Sequence, residues 1–204
     1  MKFHWWGSQE FAELEQMQHK ICQRVFCGDE EVVLGGEHPA IITLGRRAQG
    51  SEVLSSVLPV HHCARGGLAT LHSPGQLVIY PILNLRKRNW GVRLYVEGLL
   101  KTTQKSLLDF GLETKCDSTE NPGLYTKIGK ITFCGLKIIQ GVSMYGLSIN
   151  IGNDLSLFKN LRPCGISGQS LDRLQNHLPD PLDLEVFFEA WGTHWGSQVQ
   201  EVCR

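Results

Sequence analysis

Two residues far apart in the chain, a cysteine and a lysine, have side chains that could do chemistry, as nucleophile and as proton carrier. Cys164 lies in Arg162-Pro163-Cys164-Gly165-Ile166-Ser167-Gly168. A cysteine between proline and glycine sits on a sharply shaped loop where backbone N–H groups can converge on an oxyanion. Taken alone, such a cysteine is more often a small buried hydrophobe. Lys130 opens the run Lys130-Ile131-Thr132-Phe133-Cys134-Gly135-Leu136-Lys137-Ile138-Ile139 after a tight turn at Ile128-Gly129. Strand alternation places Lys130 on one side with Thr132, Cys134, Leu136 and Ile138, and Phe133, Gly135 and Lys137 on the other. An ammonium among apolar groups either snorkels to water from the strand's end or, removed from water, loses proton affinity and becomes a proton carrier. A free thiol with a pKa of about 8.5 is mostly protonated at neutral pH, and a neighbouring lysine favours the thiolate or takes its proton.

The stretch Arg65 to Tyr80 packs glycines, a cation and an imidazole against an apolar run. Gly66 and Gly67 let the backbone pass close to another object, Pro74-Gly75 forces a turn, and Gln76 to Tyr80 read as a buried strand. This is the grammar of a pocket wall. The same residues also read as a hairpin around Ser73-Pro74-Gly75, with His72 in the core or turn and Arg65 in a surface ion pair.

The elements that must position these groups follow from periodicity. Ser8 can cap a helix in which Phe11, Leu14, Met17, Ile21 and Val25 recur at helical spacing. Glu31 to Leu34 and Ala40 to Leu44 read as two strands around a turn, with Arg46 and Arg47 at the strand exit as a solvated loop or an anion site. Val92, Tyr95, Val96, Leu99, Thr103 and Leu107 line one side of a helix that Gly111 ends. Ser143 to Ile151 read as a strand and Asp154 to Phe158 as a short helix. From Leu184, the residues Phe187, Phe188, Trp191, Trp195, Val199 and Val202 predict a C-terminal packing helix.

Composition narrows the function classes. At 204 residues the chain suits one domain with a proper core, and no linker or composition break argues for two. Lysine plus arginine (20) equals aspartate plus glutamate (20), so no net field favours nucleic acid or an anionic membrane. The opening residues lack the apolar core of a secretory signal and no run spans a membrane, so a cytosolic protein is expected. The seven cysteines form no close CxxC pair, so reduced thiols are expected and neither a metal site nor a disulfide framework is suggested. His61 and Cys63 fall short of a zinc site because no matching pair lies at finger-like spacing.

Three motifs together resemble the lipoyl(octanoyl) transferase family: Arg65-Gly66-Gly67 running to Thr70-Leu71-His72-Ser73-Pro74-Gly75-Gln76, the Gly129-Lys130-Ile131 strand ending in glycine, and Pro163-Cys164-Gly165. The likeness runs from about Glu37 to Ser170 and includes Glu37-His38-Pro39 leading to Thr43-Leu44-Gly45-Arg46-Arg47, near a substrate entrance where an acidic carrier protein would meet the arginines. The resemblance implies an α/β fold (α+β), a single domain over residues 1–204 with a mixed β-sheet packed by helices, similar to the catalytic domain of biotin protein ligases and lipoate ligases. It implies Cys164 as the acyl-thioester nucleophile and Lys130 as the residue that lowers the thiol pKa and moves protons. It implies substrate binding by Arg65, Gly66, Gly67, Leu68, Ala69, Thr70, Leu71 and His72, by Phe133, Cys134 and Gly135, and by Gly146, Leu147 and Ser148. Gly66, Gly67, Leu68 and Leu71 are expected to wall an apolar slot for the acyl chain.

The implied reaction moves an octanoyl group from octanoyl-acyl carrier protein to a lysine of lipoyl domains in 2-oxoacid dehydrogenases and the glycine-cleavage H protein, in the cytoplasm, without cofactor or metal. Two departures stand out. Ser73 replaces a glycine of the family's His-Gly-Pro-Gly-Gln, and Tyr145 stands where the family usually has histidine; a tyrosine donates a hydrogen bond but does not become an imidazolium. The alternatives are an ATP-dependent lipoate or biotin ligase-like enzyme, for which Cys164 would be dispensable, and a non-catalytic binder of carrier protein or lipoyl domain.

Overall fold

The computed structural model describes residues 1–119, 121–162 and 170–202. Pro163, Cys164 and Gly165 lie outside the described residues. Thirteen principal elements run in the order β1 (Lys2–Ser8), α1 (Phe11–Cys27), β2 (Val32–Glu37), β3 (Ile41–Leu44), β4 (Val60–His62), β5 (Ala69–His72), β6 (Gln76–Ile82), α2 (Val92–Asp109), β7 (Lys115–Asp117), β8 (Gly123–Tyr125), β9 (Lys130–Ile139), β10 (Val142–Asn150) and α3 (Leu184–Val202). A mixed seven-stranded sheet has the order β1-β2-β6-β10-β9-β8-β7, and a separate three-stranded sheet the order β4-β3-β5. In the large sheet β1 and β2 are parallel and the remaining pairs antiparallel.

The large sheet is covered on both faces, as the alternation along its strands dictates. Leu77, Ile79, Leu147 and Ile149 point into a core with α2 and α3, while Leu34, Val78, Tyr80, Ile82 and Met144 point into a second core with α1. Tryptophan anchors the first. Trp191 and Trp195 are fully buried, their rings stack at 5.3 Å, and Trp191 Nε1 donates to Thr103 Oγ1 at 2.9 Å, pinning α3 to α2. In α1 the inward positions are Phe11, Leu14, Gln18, Cys22 and Val25. Met17 is exposed and Ile21 half-buried, so the helix is rotated from the expected stripe.

Several expectations are corrected. Ser8 belongs to β1 and not to a cap; α1 starts after Glu10, without a side-chain capping bond. β2 and β3 do not form a hairpin, because β2 pairs with β1 and β6 in the large sheet and β3 with β4 and β5 in the small one. Likewise Ser73-Pro74-Gly75 is a corner between sheets: Gln76 N–H closes the turn on Ser73 C=O at 3.0 Å, Gly75 has φ 84°, and β5 and β6 then enter different sheets. The helix-like segment near Asp154 is a 3₁₀ turn, Leu155–Asn160, whose Ser156 N–H donates to the Asp154 carboxylate at 2.9 Å. Among the described residues no helix is long and apolar enough to cross a membrane.

Since Trp191 fills the junction of α2, α3 and the sheet, Trp191→Ala is expected to lower unfolding stability by about 3–5 kcal/mol. Urea denaturation checks this, and a midpoint within error of the parent would contradict the assignment of the junction.

Candidate active site

A cavity of about 740 Å³ opens where the small sheet meets the α1 face of the large one. This is within the usual range of small-molecule sites, about 300–1,000 Å³. The loop that forms one wall is stitched to both sheets. Arg46 N–H and Arg47 N–H donate to the carbonyls of Arg65 and Gly67 at 3.0 and 3.1 Å, and Gly66 N–H donates to Leu136 C=O of β9 at 2.9 Å. Gly67, at φ 89°, takes the left-handed conformation that glycine tolerates best.

Arg65 is buried under this loop, which corrects the surface-ion-pair reading. Its Nη2 donates to Thr43 C=O at 2.7 Å and its Nη1 to Gly66 C=O at 3.0 Å, so the guanidinium splints the wall to β3. Arg65, Gly66, Gly67, Leu68, Ala69, Thr70 and His72 all line the cavity, as do Phe133, Cys134, Gly135, Gly146, Leu147, Ser148 and Lys130. Leu71 does not. Alternation along β5 turns Thr70 and His72 to the cavity and Leu71 inward, fully buried in a core with Ile42 and Phe158.

Lys130 is 1% exposed, so the snorkelling alternative fails. Its Nζ donates to Asn121 C=O at 3.0 Å and lies 5.1 and 5.2 Å from the ring centroids of Phe133 and Tyr125. The expected alternation is also corrected. Leu124 pairs with Thr132 but Tyr125 pairs with Lys130, so Ile131 is an extra residue in β9, and the bulge turns Lys130 to the face of Phe133 instead of Thr132. Gly123 makes the room: a Cβ there would stand 2.6 Å from Lys130 Cε.

The segments flanking Cys164 are tied to this centre. Ser170 C=O accepts from Lys130 N–H at 2.9 Å, and Asp172 N–H donates to Lys130 C=O at 3.0 Å. On the other side, Arg162 N–H donates to Glu52 C=O at 2.8 Å, while the Glu52 carboxylate accepts from Ala69 N–H of the cavity wall at 3.0 Å. Asp172 is itself gripped by Thr126, Asn176 and His177. Burial alone would raise its carboxyl pKa, but these hydrogen bonds together hold it below the usual carboxylate range.

Cys134 is half-buried in the cavity wall, and burial pushes its thiol up to about 12 against the lowering influence of Lys130, so it stays protonated and fills space. Tyr145 has φ 59°, a costly conformation for a non-glycine residue, of the kind that clusters at functional sites. It turns the side chain to the α1 core, where its hydroxyl donates to Glu15 Oε1 and its N–H to Gln18 Oε1 at 2.8 Å. Glu15 Oε2 lies 2.9 Å from His61 Nε2.

Val78 and Tyr80 line the cavity from within the stretch expected to form its wall, whereas sequence reasoning missed Phe11, Val96, Asn121 and Pro122. Phe11 looks like core by spacing, and nothing local marks Asn121.

The family model described as lipoyl protein ligase A/B catalytic domain matches residues 11–195. Octanoyltransferase of Alkaliphilus metalliredigens is 34% identical over 88% of this chain and 86% of its own, and that of Dichelobacter nodosus 33% identical over 91% and 92%. Among solved structures, lipoate-protein ligase A bound with ATP aligns with a TM-score of 0.78 at 12% identity, over 98% of this chain and 86% of the other. Biotin protein ligase from Aquifex aeolicus aligns at 0.60 and 10%, over 100% and 70%. At such identities these two show the fold, which is the one expected from the motifs.

Tyr145→Phe removes one of the donors to the Glu15 carboxylate while keeping the ring. With Glu15 partly open to solvent, a loss of about 1–2 kcal/mol is expected, read as a lower thermal midpoint.

Proposed function

The chain belongs to the lipoyl(octanoyl) transferases of the lipoyl protein ligase A/B catalytic domain family and is an acyltransferase, and from that we propose that it moves an octanoyl group from octanoyl-acyl carrier protein to a lipoyl-domain lysine through a thioester on Cys164. One observation carries this reading: Lys130 is buried in the cavity wall, and its backbone is bonded on both sides to the segment that follows Cys164. In this proposal residues 1–204 act as a single catalytic domain in the cytoplasm.

In the first half-reaction, the Cys164 thiolate attacks the thioester carbonyl of the donor. A carbon–sulfur bond forms to Cys164, the bond to the pantetheine sulfur breaks, and the departing sulfur takes a proton from the Lys130 ammonium. One thioester replaces another, so no ATP is consumed. In the second half, the lysine amine of the acceptor attacks the acyl-enzyme. The amide forms, Cys164 leaves as thiolate, and neutral Lys130 takes the proton shed by the amine, returning to its starting state. Water competes for the same thioester, which is why the acyl chain needs a slot with apolar walls such as Leu68, Val78, Phe133 and Leu147. Arg46 and Arg47, exposed on the turn beside the cavity loop, are suited to meet an acidic carrier protein. The acceptors in this proposal are lipoyl domains of 2-oxoacid dehydrogenase acyltransferase subunits and the glycine-cleavage H protein.

Mixing the protein with octanoyl-acyl carrier protein and measuring its intact mass tests the reading. An octanoyl adduct is expected on the parent and none on Cys164→Ala, and Lys130→Ala is expected to acylate roughly 10²–10⁴-fold more slowly. An adduct that persists on Cys164→Ala would overturn the assignment.

A further inference from the structure

A chain of buried amides ends at His72 and fixes where its ring carries a proton. Asn150 and Gln76 are fully buried. The backbone carbonyl of Asp172 can only accept, so the Asn150 atom 3.0 Å from it is Nδ2. Asn150 Oδ1 then accepts from Gln76 Nε2 at 2.9 Å and from Asn153 Nδ2 at 3.2 Å. With its nitrogen engaged there, Gln76 presents Oε1 to His72 Nδ1 at 2.8 Å. An amide oxygen accepts, so Nδ1 carries the hydrogen, and amide orientations that are ambiguous singly are settled by the anchored chain.

Nε2 of His72 is therefore a bare acceptor. It has no protein hydrogen-bond partner among the described residues, and the ring lines the cavity. Burial holds the imidazole neutral, pulling its pKa down to about 3 with help from the nearby His38 and Arg65. The neighbouring polar groups are oriented alike. Gln9 C=O fixes a proton on His38 Nδ1 at 2.7 Å, so His38 Nε2 receives the Tyr80 O–H at 3.1 Å, and the Tyr80 proton is spent inside the protein.

We propose that His72 is a specificity-determining residue whose Nε2 accepts a hydrogen bond from an N–H of the substrate seated in the cavity, and disfavours a carboxylate or carbonyl at that point. The proposal rests on the acyl-transfer reading for the identity of the substrates. Two substrates carry such a donor: the amide-bearing pantetheine arm of the acyl donor and the amine of the incoming lysine.

Long-range ¹H–¹⁵N correlation spectra of the ¹⁵N-labelled chain test it. Between about pH 5 and 8, His72 is expected to show a protonated Nδ1 and an unprotonated Nε2, with no titration. In Cys164→Ala, which does not turn over in the proposed mechanism, S-octanoyl-pantetheine and an unmodified lipoyl domain are added separately. An upfield shift of Nε2 with the first assigns the donor to the arm, and a shift with the second assigns it to the amine. A proton on Nε2, an imidazolium in this pH range, or a resonance unmoved by both probes overturns the proposal. In the Cys164-intact chain, His72→Phe is expected to raise KM for the assigned substrate roughly tenfold with kcat little changed, and a fall in kcat at unchanged KM overturns it. The tautomer measurement needs no turnover, so a missing Cys164 adduct would sink the acyl-enzyme reading and leave this result standing.

Discussion

A single buried ammonium organises this molecule. Taking a lysine out of water costs several kcal/mol unless its donors are met and its charge faces something polarisable. The fold meets that demand with Asn121 C=O, two aromatic faces and the space left by Gly123. These provisions come from the loop at Asn121, from β8 (Gly123 and Tyr125) and from β9 (Phe133), so all three must be assembled before Lys130 can be sealed. The same lysine's backbone then receives the Ser170–Asp172 segment. Charge burial and loop placement are thus one event, and a chain that mispairs β8 with β9 would lose both.

That coupling explains why the face of Lys130 was not readable from alternation. Period-two reasoning assumes an unbroken ladder, and the extra residue Ile131 shifts the phase by one while remaining apolar and buried itself. The pairing partner decides, and the partner lies in another strand. The hairpin expected at Ser73-Pro74-Gly75 failed for a related reason. Proline and glycine specify a tight reversal locally, but whether the two strands then pair depends on which edges are available; β6 finds β2 and β10, and β5 finds β3. β1 escaped notice because Trp5, Trp6 and Gly7 do not alternate cleanly, and its register is in fact irregular between Trp5 and Gly7.

Much of the site was legible all the same. Glycines that permit close backbone approach, a cation and an imidazole within one stretch predict a wall, and Arg65 to Thr70 and His72 form it. What stayed hidden arrives from distant segments by packing. Phe11 is chemically a core residue and sits at the cavity only because α1 begins there; its ring stacks on His72 at 5.8 Å between centroids. Tyr80 hydrogen-bonds His38 from the far side of the same corner. No spacing rule joins residues 11, 38, 72 and 80, but ring packing between α1, the residue after β2, β5 and β6 does.

Tyr145 is where the chain departs most from its family's motif, and the surroundings show that the departure is accommodated. A tyrosine placed passively in a strand would keep a β conformation and point with Leu147 toward α2 and α3. Instead φ is 59° and the ring lies in the opposite core between Phe11 and Tyr80. That conformation is unfavourable, so other contacts must hold it, and α1 supplies them: Gln18 takes the N–H and Glu15 the hydroxyl. Glu15 also meets His61, an imidazole on β4. The region thus keeps a histidine, now separated from the cavity wall by a carboxylate and a phenol. Burial and the adjacent Glu15 carboxylate push the phenol well above its usual pKa. At physiological pH Tyr145 is then a neutral donor already engaged with protein, and its ring helps to line the cavity.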